Sequence, residues 1–177
     1  MGGPHVFQLA TVAVASVAAA LDWRTGRIPN WLTLGAIVAA VPLHAWLSPS
    51  TGPDQGPLAG IKWSLLGAVA CALPTVVAFW FGWMAGGDVK LVAAMGALSG
   101  LSLGLEAVFL AFFCAAAFLV LRLAWTGEFF RTVSDQVTMT VGRAVGRTRA
   151  DARSNLRFGP FALTGAALSL VLHGGLA

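Results

Sequence analysis

The feature of this sequence that most limits its fold is a succession of apolar runs, each about as long as a membrane is thick. Hydrophobic residues make up 58% of the 177 positions and charged residues only 10%, whereas a soluble domain carries roughly 25% charged residues. A surface so poor in charge needs lipid as its solvent. Because lipid offers no partner to free backbone groups, each crossing segment is expected to be a helix.

A crossing helix needs about 20 mainly apolar residues. This rule predicts an all-α polytopic membrane protein in which 1–177 forms one transmembrane domain. The six predicted spans lie at about 5–21, 29–47, 58–82, 89–104, 106–124 and 159–176. The fourth and fifth spans are divided at 100–104 because one helix of their combined length would be too long. The first run lacks a basic start, so it is predicted to be a retained helix rather than a signal peptide.

The basic residues predict how these spans are oriented. Ten of the eleven Lys and Arg residues fall in the segments 22–28, 83–90 and 122–158, which share one side of the membrane if there are six spans. The opposite side has only Lys62. Because basic loops stay in the cytoplasm, we expect an inner-membrane protein with both termini outside the cytoplasm. The positive net charge therefore predicts contact with membrane lipid and not with nucleic acid.

Residues 125–158 form the one long polar stretch of the chain. Apolar residues recur in it at intervals of three to four positions, with arginines between them. This spacing predicts a basic amphipathic helix on the anionic inner leaflet. A disordered cytoplasmic loop is the alternative.

Two of the seven acidic residues stand apart by position. Asp22 ends the first span and Asp88 begins the fourth, so the predicted topology puts both at the cytoplasmic face. A carboxylate at membrane depth is costly and usually marks function. Two carboxylates that approach each other share a proton, so that one can activate water while the other polarises a peptide carbonyl. Helix-end capping and a proton pathway are the alternatives.

Glycine and proline interrupt the chain beside these aspartates. Gly86 and Gly87 precede Asp88, where the missing side chains let the backbone turn or let a substrate backbone come close. Proline can open a helix without the loss of a hydrogen bond. Two further breaks open the second and the last spans, and they are Pro29-Asn30 and Gly159-Pro160. The three breaks are predicted to shape a substrate entrance at the cytoplasmic face.

Three stretches of the chain resemble the signatures of type IV prepilin peptidases, which are polytopic aspartic endopeptidases of the Gly-x-Gly-Asp class. The stretches are Asp22-Trp-Arg-Thr-Gly-Arg-Ile-Pro-Asn30, Gly86-Gly-Asp-Val-Lys90 and Phe158-Gly-Pro-Phe161. The resemblance implies that Asp22 and Asp88 are the catalytic aspartates. It also implies an auxiliary role for Lys90, which could pair with a carboxylate or a lipid phosphate. Ala85 stands where the family pattern has its first glycine.

The resemblance implies a prepilin or pseudopilin substrate, in which a short basic leader precedes an apolar helix. That helix would lie in the bilayer beside the spans, and the leader would be cut at the cytoplasmic face. The chain has neither the cysteine-rich insertion of the larger family members nor a glycine-rich cofactor loop. No cofactor and no N-methyltransferase activity are therefore expected, as in the short members that serve Tad-type pili and in archaeal preflagellin enzymes.

Two other functions stay open at the level of sequence. A proton-coupled transporter would use intramembrane acids as a relay through the membrane depth, and a non-catalytic subunit of a pilus or secretion machine would need neither aspartate.

His5, His44 and His173 lie at outward span ends without a shared motif, so no metal site is predicted. Cys71 and Cys114 each lie in an apolar run and are predicted to be unpaired.

Overall fold

The computed structural model describes residues 3–47, 56–81, 84–126 and 158–174. Five helices follow one another in this part of the chain, which contains no strand. They are α1 (Gly3–Thr25), α2 (Asn30–Leu47), α3 (Pro57–Trp80), α4 (Gly86–Thr126) and α5 (Gly159–Gly174). The predicted all-α class is confirmed. The predicted amphipathic segment at 125–158 falls almost wholly outside the described residues.

Four of these helices are long and apolar enough to cross a membrane. The stretches that meet these criteria are His5–Thr25, Asn30–Leu47, Pro57–Trp80 and Gly86–Arg122, the last of which includes a break described below. The last helix, α5, is apolar but shorter. Large apolar side chains are exposed along the outer faces of the helices, including those of Leu58, Phe109 and Val171. Such a surface suits lipid, so the helices agree with the prediction of a membrane protein.

Gly100 breaks α4 and brings its two halves together. The backbone of Gly100 has a φ of 75° and a ψ of −172°, a conformation that glycine adopts without steric cost. A Cβ atom placed on Gly104 would lie 2.9 Å from the Cα of Gly96, whereas eight residues of straight helix span about 12 Å. The chain therefore turns back at the predicted position. Helical structure lies on both sides of Gly100, so α4 consists of two helical halves, and the break falls within 100–104, where the predicted spans 89–104 and 106–124 were divided.

Small residues allow α4 to approach its neighbours closely. Gly67 of α3 faces Gly96 of α4, and a Cβ atom on either glycine would collide with the carbonyl oxygen of the other. Gly165 of α5 lies in the same way against Ala107 and Ala111 in the second half of α4. Within a membrane, helices are held by such close packing because the lipid is as apolar as the side chains.

Side chains from two neighbouring helices bond to the carbonyl groups just before the α4 break. Ser64 Oγ of α3 donates to the Ala97 carbonyl at 2.9 Å. His44 Nε2 of α2 lies 2.9 Å from the Leu98 carbonyl oxygen. The last carbonyl groups before a helix break lack amide donors, and in a membrane neighbouring side chains have to supply them. These contacts therefore stabilise the break.

Removal of one of these donors should destabilise the protein. Ser64→Ala leaves the buried Ala97 carbonyl without its side-chain donor, and an unsatisfied buried polar group costs about 1–3 kcal/mol. We expect the free energy of unfolding, measured by titration of micelles with dodecyl sulfate, to fall by that amount. Thr164→Ala is the control because Thr164 is exposed and donates to the Phe161 carbonyl of its own helix. An equal loss in the control would contradict this explanation.

Candidate active site

Asp22 lies in the last turn of α1, which extends four residues beyond the predicted end of the first span. Gly26 terminates this helix with a left-handed φ of 65°, and its amide donates to the Asp22 carbonyl at 2.9 Å. Both features are typical of a glycine C-cap. The second helix then begins directly after Pro29, in agreement with the predicted helix opening. Asp22 thus projects from regular helix, and it is only 6% exposed.

The carboxylate of Asp22 is held by the first residue of α5. The Gly159 amide donates to Asp22 Oδ2 at 3.1 Å, and the free amides of a helix N-terminus favour negative charge. A Cβ atom on Gly159 would lie 3.0 Å from both Cβ and Oδ2 of Asp22 and 3.1 Å from the Cα of Ala19. Position 159 therefore has no room for a side chain. The break predicted at Gly159-Pro160 thus has a structural role in the site, because its glycine amide bonds an aspartate.

The residues on either side of this glycine fix the start of α5 in the bundle. Phe158 is buried, and its ring centroid lies 5.2 Å from that of Phe112 in α4. The Phe158 carbonyl accepts the amides of Phe161 and Ala162, both at 3.0 Å, so it caps the helix. Pro160 lies in the first turn, where its missing amide leaves no bond unmade.

Asp88 lies in the first turn of α4 and is 8% exposed. Ala85 precedes the helix, and its carbonyl accepts the amides of Asp88 and Val89 at 3.1 and 3.4 Å. The Ala85 amide is in turn within hydrogen-bonding reach of the Asp88 carboxylate. This exchange resembles one half of a capping box. Asp88 therefore takes part in capping α4, which was one of the alternative roles predicted for the aspartates.

The structure brings the two aspartates together at one end of the bundle. The carboxylates of Asp22 and Asp88 lie close enough to interact as charges. Asp22 and Asp88 are the two buried acidic residues within the described ranges. The third acid there, Glu106, has a side chain that is 33% exposed and lies 3.6 Å from His173. A capping role explains neither the burial of both carboxylates nor their proximity.

The loop between α1 and α2 packs against the turn that carries Asp88. A Cβ atom on Gly87 would lie 3.5 Å from the Cβ of Ile28, which is an ordinary contact distance. Lys90 Nζ donates to Asn30 Oδ1 at 2.8 Å and so joins the start of α4 to the start of α2. The partner that Lys90 has in the structure is therefore an amide oxygen, and its predicted pairing with a carboxylate or a lipid phosphate stays a prediction.

The two glycines before Asp88 are not required by the backbone geometry of the turn. Gly86 and Gly87 begin α4 without a positive φ. Cβ atoms placed on them would meet no neighbour closer than 3.5 Å. An alanine would therefore fit at either position. The turn of the backbone is therefore not what requires glycine at these two positions.

The described ranges contain no group of three or more His, Cys, Asp or Glu side chains that could hold a metal ion. Cys71 and Cys114 are free thiols, and Cys71 is fully buried. The two cysteines thus have the unpaired state that the sequence predicted.

Comparison with protein families matches the chain to the type IV leader peptidase family over residues 9–120. The matched stretch includes Asp22, Asp88, the loop between α1 and α2, and the start of α4. Comparisons with curated proteins and with solved structures give no match. The family match covers more than half of the 177 residues and contains both members of the buried carboxylate pair. The chain therefore belongs to the type IV leader peptidase family.

Proposed function

We propose that this protein is a membrane aspartic endopeptidase that removes the short basic leader from prepilins or pseudopilins at the cytoplasmic face of the inner membrane. Asp22 and Asp88 are its catalytic residues in this proposal. The observation that carries it is the buried pair of carboxylates at one end of a bundle of apolar helices. Membership of a peptidase family supports hydrolysis of a peptide bond as the reaction.

A carboxylate pair that shares one proton supplies both a base and an acid. The ionised carboxylate takes a proton from water as the water oxygen attacks the carbonyl carbon of the scissile bond. The protonated carboxyl gives its proton to the carbonyl oxygen, so a neutral tetrahedral diol forms. On collapse, one hydroxyl returns its proton to the pair, the C–N bond breaks, and the leaving nitrogen receives the other proton. The pair ends with one proton, as it began.

The charges near the aspartates support a cytoplasmic position for this end of the bundle. Arg24, Arg27 and Lys90 are exposed there, as expected of residues that stay in the cytoplasm. Glu106 lies at the other end, where α4 has turned back. Exposed apolar helix faces would contact the membrane-embedded helix of the substrate, while the arginines anchor the enzyme to the anionic leaflet.

A cleavage assay in liposomes tests the proposal. The substrate is a prepilin-type peptide with a basic leader followed by an apolar helix, and its products are read by mass spectrometry. We expect a single cut between leader and helix, and a new N-terminus that stays unmethylated even when S-adenosylmethionine is added. The same peptide incubated with the Asp22→Asn/Asp88→Asn double variant is the control. Cuts elsewhere, or equal cleavage by the double variant, would contradict a leader peptidase that uses this pair.

A further inference from the structure

A buried hydrogen bond joins the two helices that carry the aspartates, at the end of the bundle opposite to them. Thr11 Oγ1 of α1 lies 2.7 Å from Ser99 Oγ of α4, and the two residues are 2% and 8% exposed. The Thr11 hydroxyl has one hydrogen and donates it to the Phe7 carbonyl at 2.9 Å. Ser99 is therefore the donor of the bond between the helices.

The sequence spacing gives this contact a particular geometric meaning. Thr11 precedes Asp22 by 11 residues in α1, and Ser99 follows Asp88 by 11 residues in the first half of α4. Eleven residues are about three helical turns and about 16 Å of rise. Each hydroxyl therefore lies on the same face of its helix as the aspartate. The two helices run in opposite directions. When the two hydroxyls lie at the same height, the two carboxylates, each 11 residues away, therefore also lie at the same height.

The interface between these two ends is built largely of small side chains. On α1, Ala15 and Ala18 are fully buried in the same cluster as Leu91 of α4, while Val12 and Val14 are partly buried against the core clusters that contain α4 residues. An alanine presents a single methyl group, so it interlocks weakly with the opposite helix. A directed hydrogen bond is lost when its atoms shift by a fraction of an ångström beyond contact. The hydroxyl pair therefore defines the register better than the apolar surface does.

Among the side-chain hydrogen bonds described at the α4 break, this one joins α4 directly to the helix of Asp22, whereas His44 reaches α1 by stacking on Phe7. The carbonyl groups of Ala97 and Leu98 bond to α3 and α2. We propose that the Thr11–Ser99 bond is a positioning contact, which fixes the height and rotation of α1 against the first half of α4 and so places the two catalytic carboxylates side by side. The expected effect on catalysis rests on the proposed function. The register between the two helices does not depend on that function.

Kinetics of four variants test the positioning role. Thr11→Val and Ser99→Ala each remove the bond, and each should lower kcat for leader cleavage about tenfold, since small misplacements of reacting groups are costly, with KM unchanged. The double variant should be no worse than either single one. The exchange Thr11→Ser/Ser99→Thr keeps both hydroxyls and should restore kcat. Ser16→Ala is the matched control because Ser16 donates to the Val12 carbonyl of its own helix at 2.7 Å.

Cross-linking measures the register without any substrate. Cysteines replace Asp22 and Asp88 in a Cys71→Ala/Cys114→Ala background, which removes both natural cysteines of the chain. Thiol cross-linkers of graded length should give one preferred length when the hydroxyl pair is intact. Thr11→Val should shift or broaden that length.

Two results would overturn the positioning role. One is an unchanged cross-linking length in Thr11→Val, and the other is a kcat loss as large in Ser16→Ala as in Ser99→Ala. Failure of the wild type to cleave any prepilin would instead contradict the proposed function. The cross-linking length would still decide whether Thr11 and Ser99 set the register.

Discussion

Asp22→Asn and Asp88→Asn should each lower kcat for leader cleavage by about 10²–10⁴-fold, the range attributed to general acid–base groups. An amide has nearly the shape and hydrogen-bonding capacity of a carboxyl group, but it cannot take a proton from water or return it. Because both carboxylates act in one proton cycle, the double variant should be little worse than either single variant. The measurement is initial rates against substrate concentration, which separates kcat from KM.

The control for these variants is Glu106→Gln. It neutralises an acid that lies beside His173 and away from the Asp22–Asp88 pair. It should cleave at the rate of the wild type.

A bell-shaped dependence of kcat/KM on pH is also expected, because only the state with one shared proton is active. Cleavage that persists in both Asp22→Asn and Asp88→Asn would exclude the pair and favour a non-catalytic role for the protein in a pilus or secretion machine.

Gly159→Ala should have the second largest effect, although it adds only one methyl group. The new Cβ atom would lie 3.0 Å from Asp22 Oδ2 and 3.1 Å from the Cα of Ala19. A backbone atom cannot move aside as a side chain can, so either α5 retreats or Asp22 rotates. In both cases the bond between the Gly159 amide and Asp22 is lost. We expect kcat to fall about 10–100-fold and the free energy of unfolding to fall by about 1–3 kcal/mol.

Gly35→Ala is the matched control for this substitution. Gly35 lies on an exposed face of α2, where a Cβ atom would meet nothing within 4 Å, so activity and stability should be retained. Gly159→Val should be more severe than Gly159→Ala, since it adds bulk at the same point. In an Asp22→Asn background, Gly159→Ala should lower kcat little further. Full activity in Gly159→Ala would show that the amide contact does not position Asp22.

Much of the site was accessible from the sequence because ionisable residues are rare in apolar segments. The composition predicted lipid as the solvent, and apolar runs of membrane length predicted helices. The cost of an ionised group in lipid then made Asp22 and Asp88 stand out. Gly26, Pro29 and Pro160 occur where helices end or begin in the structure. These are local effects, governed by residues adjacent in the chain.

The partners of these residues could not be predicted in the same way. The donor to Asp22 is the backbone amide of Gly159, a group that almost every residue has. Lys90 bonds to Asn30, and this contact depends on how the loop before α2 meets the start of α4. Thr11 and Ser99 look like ordinary small residues within apolar helices, and only their contact gives the spacing of 11 residues to each aspartate its meaning.

The sequence by itself thus determined that lipid surrounds the protein, where the helices lie and which two acids stand out. Hydropathy, helix capping and the energetic cost of a charge in lipid each depend on a few residues that are close together in the chain. The tertiary structure decided that the two carboxylates lie within reach of each other's charge and that a helix N-terminus bonds one of them. Those outcomes depend on contacts between helices distant in the chain. Close packing of small residues and a few directed hydrogen bonds select them, and neither leaves a periodic pattern in the sequence.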